Sequence, residues 1–170
     1  MSSRKQKNVD EAVKQLQDQG INVAGIVCHV AKESDRKKLF DEAVKSFGGI
    51  NILVSNAAVN PEVGSVLDAS EQAWDKIFDI NVKCSYLLAK EVKPFIIEQG
   101  GGSIVFISSI AGFQPFSLLG AYSVSKTALF GLCKAASNEL AGDNIRVNCI
   151  APGVIETKFS SAVSCLFLTL

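Results

Sequence analysis

Apolar and polar residues alternate with two different periods along the first third of the chain. Residues 9–19 and 32–47 repeat apolar side chains at helical spacing, which predicts two amphipathic helices that end at Gly20 and Gly48. Between them, residues 21–30 are rich in Val and Ile and predict a strand. A strand followed by a helix at this spacing is typical of a parallel sheet.

Three later segments predict further strands. Residues 50–55 form a short apolar run, which predicts a strand that is buried on both faces. Residues 103–108 predict another buried strand, and residues 145–151 predict a final strand before Pro152 and Gly153.

Two long helical patterns separate these strands. Residues 71–99 form the first, with Ser70 as a cap, and Pro94 is expected to kink this helix or to mark its last turns. Residues 121–140 form the second. The repeated alternation of strand and helix predicts one α/β domain, with a parallel sheet and helices on both faces.

Composition and charge exclude several classes of function. The 170 residues contain 17 Lys plus Arg and 17 Asp plus Glu, so no basic excess indicates a nucleic acid partner. No apolar run reaches the roughly 18 residues of a membrane span. Five cysteines without a Cys-x-x-Cys pair, and a single histidine, do not favour a metal site; they indicate a reduced, intracellular protein.

Tyr122 and Lys126 carry the first candidate chemistry. They are four residues apart in a predicted helix, so they lie on one face, about 6 Å apart along the axis. A tyrosine has an ordinary pKa of about 10, and a neighbouring ammonium lowers it. The pair could give a proton to a carbonyl oxygen or take one from an alcohol. The same spacing is also common on solvated helix surfaces, so the pair alone is weak evidence of catalysis.

Polar residues and turns at strand ends strengthen the catalytic interpretation. Ligands of open parallel sheets bind at the carboxyl ends of the strands. The residues that follow predicted strands there are Asn56, Ala57, Ala58, Ser109, Pro152 and Gly153. Asn81 lies inside a helix pattern, where a buried amide needs a hydrogen-bond partner.

These motifs, in this order, resemble the short-chain dehydrogenase/reductase family over essentially residues 2–160. The resemblance implies that Tyr122 is the catalytic acid/base and that Ser109 holds and polarises the substrate carbonyl. It implies that Lys126 lowers the pKa of Tyr122 and binds the nicotinamide ribose. It also implies that Asn81 anchors a water molecule in a proton relay that ends at Lys126.

The resemblance further assigns residues to the cofactor and to the substrate. The turn formed by Asn56, Ala57 and Ala58 is expected to lie along the cofactor, and Ile155 and Thr157 are expected to border the nicotinamide. Pro152 and Gly153 are further expected cofactor contacts. Phe116 and Leu119, in the loop before Tyr122, are expected to line an apolar substrate pocket. Such a pocket suits ketones and aldehydes with aromatic or long aliphatic bodies.

The first residues bear on the choice of cofactor. By the resemblance, Ser3 and Arg4 stand at the end of the family's second strand, beside the adenosine ribose. Arginine there suits a 2′-phosphate, whereas an acidic residue would suit NAD, so NADP(H) is expected over NAD(H). A solvated charged segment is the alternative. His29, beside Val30, is expected either next to the adenine or merely at a polar strand end.

The sequence departs from the family at both ends. No T-G-x-x-x-G-x-G turn is present, although the family uses that turn to bind the pyrophosphate. The expected fold is therefore an incomplete Rossmann-like doubly wound parallel sheet, which lacks the first two strands with the Gly-rich turn, and the last strand. The family strand order 3-2-1-4-5-6-7 then separates strand 21–30 from strand 50–55 and leaves an apolar edge. Residues 1–160 are expected to form a partial domain and residues 161–170 an atypical tail.

Local segments, among them residues 54–61, 125–129 and 144–149, resemble those of peroxisomal, NADPH-dependent carbonyl and retinal reductases of this family. This resemblance implies an oxidoreductase that reduces ketones and aldehydes or oxidises the matching alcohols. The family also implies a homodimer or homotetramer built on helices 71–99 and 121–140. The chain as written has no Ser-Lys-Leu-type ending, so a cytoplasmic location is expected for it, and a peroxisomal or mitochondrial one for a full-length relative. The alternative is an impaired chain that acts only as a dimerisation partner.

Overall fold

The structure, a computed structural model, describes residues 1–155 of the chain. The strands in this range are β1 (Ser2–Ser3), β2 (Ile26–Val27), β3 (Ile52–Ser55), β4 (Gly102–Ile107) and β5 (Ile145–Ile150). The α-helices are α1 (Gln6–Gln17), α2 (Glu33–Phe47), α3 (Glu71–Phe78), α4 (Cys84–Glu98) and α5 (Gly120–Leu140). Thr157 and the predicted tail at 161–170 lie outside the described residues.

The strands form two parallel sheets. β1 pairs with β2, and β3, β4 and β5 pair in that order. No ladder joins the two sheets within residues 1–155, which confirms the predicted separation between the strands. Of the family's second strand, Ser2 and Ser3 are present and pair with Ile26 and Val27. The architecture is an α/β, Rossmann-like doubly wound sheet that is incomplete.

Helices cover one face of the β3–β4–β5 sheet. Side chains in register share a face of a parallel sheet, and Leu53, Ile104 and Val147 are in register beneath α4 and α5. On the opposite face, Ile52 is 64% exposed and Val54 is 56% exposed. The prediction that β3 is buried on both faces is therefore wrong, because no described helix packs against its second face.

The predicted helix 71–99 is divided into three parts. Ser70 caps α3 as predicted, with its Oγ accepting a hydrogen bond from the Ala73 amide (3.2 Å). A π-helix at Asp79–Lys83 then separates α3 from α4. Pro94 lies inside α4, which continues to Glu98. The interruption thus falls at the π-helix around Asn81, and π-helical turns are often found at functional sites.

The predicted strand 21–30 is shorter than its pattern suggests. Only Ile26–Val27 is a strand, because its sole partner, β1, offers two residues for pairing. The ends of the other predicted helices and strands coincide with the observed ends or differ from them by at most three residues. Among the described helices, none combines the length and the apolar character that a bilayer crossing requires.

Candidate active site

A single cavity of about 570 Å³ lies at the carboxyl ends of the strands of both sheets. It brings together all but two of the residues that the sequence predicted for a site. The residues brought together are Ser3, Arg4, His29, Val30, Asn56, Ala57, Ala58, Ser109, Phe116, Leu119, Tyr122, Lys126, Pro152, Gly153 and Ile155. Asn81 lies outside the cavity lining, and Thr157 is outside the described residues.

Tyr122 lies near the beginning of α5 and is hydrogen-bonded to Ser109. Burial raises the pKa of the phenol, and the Ser109 hydrogen bond opposes this only in part. The expectation of a lowered pKa is therefore contradicted in this structure, because desolvation disfavours the phenolate. A phenol with a raised pKa is protonated at neutral pH and can act as a proton donor.

Lys126 lies one turn along α5 from Tyr122, and its ammonium is 5.5 Å from the centre of the Tyr122 ring. The residue is only 2% exposed, and its Nζ donates a hydrogen bond to the Ile107 carbonyl oxygen (2.8 Å). Burial lowers the pKa of Lys126 from 10.5 to about 8. The side chain is therefore a buried cation at neutral pH, held at the end of β4 beside the phenol.

The end of β4 fixes both catalytic candidates against the sheet. Ser108 donates its Oγ hydrogen to the Lys126 carbonyl oxygen (2.7 Å), and its amide bonds the Ile150 carbonyl oxygen (2.7 Å). Ser109 begins a short 3-10 helix, and its Oγ accepts a hydrogen bond from the Ala111 amide (3.1 Å). The strand end thus sets the position of α5 relative to Ser109.

Asn81 is hydrogen-bonded to Val59, in the segment that follows β3. Its Oδ1 accepts from the Val59 amide (2.8 Å), and its Nδ2 donates to the Val59 carbonyl oxygen (3.0 Å). The same Nδ2 donates to Ser125 Oγ (3.0 Å), and Ser125 in turn donates to the Tyr122 carbonyl oxygen (2.6 Å). Asn81 thus ties the Asn56-Ala57-Ala58 turn to α5. Its part in a proton relay remains a prediction.

Sequence reasoning overlooked Ser108 and Ser125. Both are buried, and each bonds the backbone of α5 at Lys126 or Tyr122. The available signals were the pair Ser108-Ser109 at a strand end and the serine directly before Lys126. Neither signal distinguishes a buried hydroxyl from an exposed one, because burial depends on elements that are distant in sequence.

Phe116 and Leu119 line the part of the cavity next to Tyr122. The loop that carries them is fixed to a second loop, since the Gly64 amide donates to the Leu118 carbonyl oxygen (2.8 Å). Gly120 allows this close approach, because a Cβ there would collide with the backbone of Val66. The second loop thus fixes the loop whose Phe116 and Leu119 side chains line the cavity.

Ser3, Arg4, His29 and Val30 line the opposite part of the cavity. The Ser3 carbonyl oxygen accepts from the Cys28 amide (3.0 Å), which aligns the ends of β1 and β2. The His29 ring accepts a weak hydrogen bond at Nδ1 from the Ala31 amide (3.4 Å). His29 follows the end of β2 and lines the cavity, and its place beside the adenine remains a prediction.

A buried phenol, its hydroxyl partner and a buried ammonium lie together in one cavity. This arrangement suits proton transfer to or from a bound substrate. The family model described as short chain dehydrogenase matches residues 1–164. The chain therefore belongs to the short-chain dehydrogenase family of oxidoreductases.

Particular relatives are named dehydrogenase/reductase SDR family member 4. The rabbit (Oryctolagus cuniculus) protein is 58% identical and covers 96% of this chain and 63% of its own length. The human (Homo sapiens) protein is 58% identical, with coverage of 94% and 58%. Human SDR family member 2, mitochondrial, is 51% identical, with coverage of 94% and 57%. The chain thus spans about three fifths of the length of these curated relatives.

A solved structure supports the fold. The NAD⁺-bound xylitol dehydrogenase is 30% identical and superposes with a TM-score of 0.87, over 93% of this chain and 61% of its own. That relative is a dehydrogenase with NAD⁺ bound.

Proposed function

We propose that the protein is an NADP(H)-dependent carbonyl reductase, which reduces ketones and aldehydes, including substrates of the retinal type. The observation that carries the proposal is the placement of Tyr122, Ser109 and Lys126 in one cavity, which Arg4 also lines. Apolar side chains such as Phe116 and Leu119 line the same cavity.

The residues present fit a nicotinamide cofactor. The cavity is lined by residues from β1 to α5, and the Arg4 guanidinium in its lining suits a phosphorylated ligand. Arg4 would hold a 2′-phosphate, Ser3, His29 and Val30 would lie beside the adenosine, and Lys126 would hold the nicotinamide ribose. When bound, the cofactor supplies a hydride to the carbonyl carbon.

The protein's own residues would handle the oxygen of the substrate. Ser109 would donate a hydrogen bond to the carbonyl oxygen, which polarises the carbonyl group. Tyr122 would give its proton to that oxygen as negative charge develops there. The pKa of Tyr122 lies above its usual range, so at neutral pH the phenol carries the proton that reduction of a carbonyl requires. The buried Lys126 cation would stabilise the phenolate that remains.

The apolar residues beside Tyr122 support a hydrophobic substrate. Phe116 and Leu119 line the cavity there, and an apolar wall favours an apolar ligand body by burying its surface. Since relatives named family member 4 share more than half of this sequence, we extend the proposal to a peroxisomal location, with a mitochondrial one as the alternative.

Replacing Arg4 by glutamine tests the choice of cofactor. We expect the Kd for NADPH to rise about tenfold, because one charge-assisted hydrogen bond to the 2′-phosphate is lost. The Kd for NADH should stay the same, and calorimetric titration measures both. Lys5→Gln is the matched control, since Lys5 is the adjacent cation and does not line the cavity. Equal losses for both cofactors would contradict the proposed role of Arg4.

A second candidate function is that of a non-catalytic partner. It is favoured by aromatic side chains on the outside of α3 and α4. Trp74 stacks on Phe78 with ring centres 4.8 Å apart, and Tyr86 is exposed nearby. A homodimer or homotetramer through α3, α4 and α5 belongs to both candidates. Micromolar binding of NADPH by the protein would count against the non-catalytic one.

A further inference from the structure

Helix α2 begins against the His29–Val30 end of the cavity, and its first turn bonds that segment. The Asp35 carboxylate accepts a hydrogen bond from the His29 amide (2.9 Å). The Arg36 guanidinium donates through Nη1 to the Val30 carbonyl oxygen (2.8 Å). Consecutive residues of one helix thus hold consecutive residues of the cavity wall.

These hydrogen bonds from α2 hold residues 29 and 30 where no strand ladder does so. β2 ends at Val27, and the ladder with β1 is continued only by the bond between the Cys28 amide and Ser3. A buried peptide group needs a partner, and for the carbonyl of Val30 the partner is Arg36. The position of this wall therefore depends on where Arg36 is held.

Arg36 is held by α4. Its guanidinium bonds both carboxylate oxygens of Glu91, through Nε (2.9 Å) and Nη2 (2.7 Å). Arg36 is 4% exposed, whereas the Glu91 side chain is 28% exposed. A planar guanidinium with two parallel bonds has a fixed orientation, so the third donor is directed at Val30. A lysine could not reproduce this arrangement.

We propose that the Arg36–Glu91 pair is a positioning device, which holds His29 and Val30 as the wall for the adenine end of the cofactor. The proposal rests on the proposed function and deepens it. Neither Arg36 nor Glu91 lines the cavity, so the pair acts through the backbone of residues 29 and 30. It connects the cavity wall to α4, which is packed on the other sheet.

The binding of two cofactor fragments distinguishes a positioning role of Arg36 from an effect on the stability of the whole protein. We expect Arg36→Met to raise the Kd for adenosine 2′,5′-bisphosphate about tenfold, with no change for nicotinamide mononucleotide, both measured by calorimetric titration. Lys37→Met is the matched control, because Lys37 lies on the same helix and forms only an exposed pair with Asp41. That control should leave both Kd values unchanged.

The double variant Arg36→Met/Glu91→Met tests whether the single variant binds weakly only because it is poorly folded. It leaves neither charge buried without its partner, and such apolar replacement is often tolerated. We expect it to bind adenosine 2′,5′-bisphosphate as weakly as the single variant. Amide hydrogen exchange without any ligand should also become faster at His29 and Ala31 than in β4 and β5.

Three results would overturn the proposal. Equal losses for both fragments would mean a structural role, and normal binding of adenosine 2′,5′-bisphosphate by the double variant would mean no role at the wall. Unchanged exchange at residues 29–31 would contradict the backbone contact. If the unaltered protein binds neither fragment, the proposed function itself fails, and the exchange measurement still reports on the contact.

Discussion

The Tyr122→Phe variant is expected to lose about 100-fold to 10,000-fold in kcat for the reduction of a ketone or aldehyde. Phenylalanine keeps the ring in its buried place but has no proton to give to the carbonyl oxygen. Because the ring and the Lys126 ammonium stay, the Kd for NADPH should change little. Steady-state kinetics with an apolar aldehyde and calorimetric titration with NADPH measure the two quantities.

Tyr86 offers a matched control for this experiment. It is the other tyrosine of the chain, it lies on α4, and it is exposed outside the cavity. Tyr86→Phe should keep normal kcat values. Near-normal turnover by Tyr122→Phe would remove the acid/base role from Tyr122 and with it the proposed mechanism.

The Lys126→Met variant is expected to be more stable than the unaltered protein at pH 7 while losing activity. The pKa of Lys126 falls from 10.5 to about 8 on folding, which corresponds to about 3 kcal/mol of burial cost for the charge. Loss of the hydrogen bond to Ile107 removes about 1 kcal/mol. The net gain in the free energy of unfolding is therefore about 2 kcal/mol, measured by urea denaturation.

The pH dependence of this difference follows from the two pKa values. Between pH 8 and pH 10.5 the unfolded chain holds a proton on Lys126 that the folded chain has released. The stability contributed by this group therefore rises with pH in that window, and the advantage of Lys126→Met disappears. Lys134→Met, an exposed change on the same helix, should give no such pH-dependent difference. A constant difference from pH 7 to pH 10 would contradict the burial cost.

The proposed catalytic residues could be brought together from the sequence because their signals are local. Tyr122 and Lys126 are one helical turn apart, and Ser109 follows a strand whose carboxyl end faces the ligand side of a parallel sheet. Such spacing and placement can be read directly from the order of residues. The cavity at the ends of the strands then unites them with Asn56 and Pro152.

The supporting contacts could not be predicted because they join distant parts of the chain. Arg36 and Glu91 are 55 residues apart, and each is an ordinary polar residue on an amphipathic helix. Asn81 and Ser125 are 44 residues apart, and only the packing of the π-helix against α5 brings them together. Helical periodicity describes which face of a helix is polar, but it does not identify the partner.

The exposure of Ile52 and Val54 has the same explanation. An apolar run predicts a strand that can be buried on both faces, and whether it is buried depends on helices elsewhere in the fold. In the described residues α4 and α5 cover only one face. The direction and pairing of β3 could be predicted from its neighbours, whereas its exposure could not.

The two sheets share no hydrogen-bond ladder in the part of the chain that the structure describes, yet both contribute walls to the same cavity. In the proposed function, a dinucleotide would be a bivalent ligand with one half for each sheet. Once either half is bound, the other half would be present at a high effective concentration beside its own site. Occupancy of one part of the cavity would therefore strengthen binding at the other, in addition to the contact that Arg36 makes between the Val30 segment and α4.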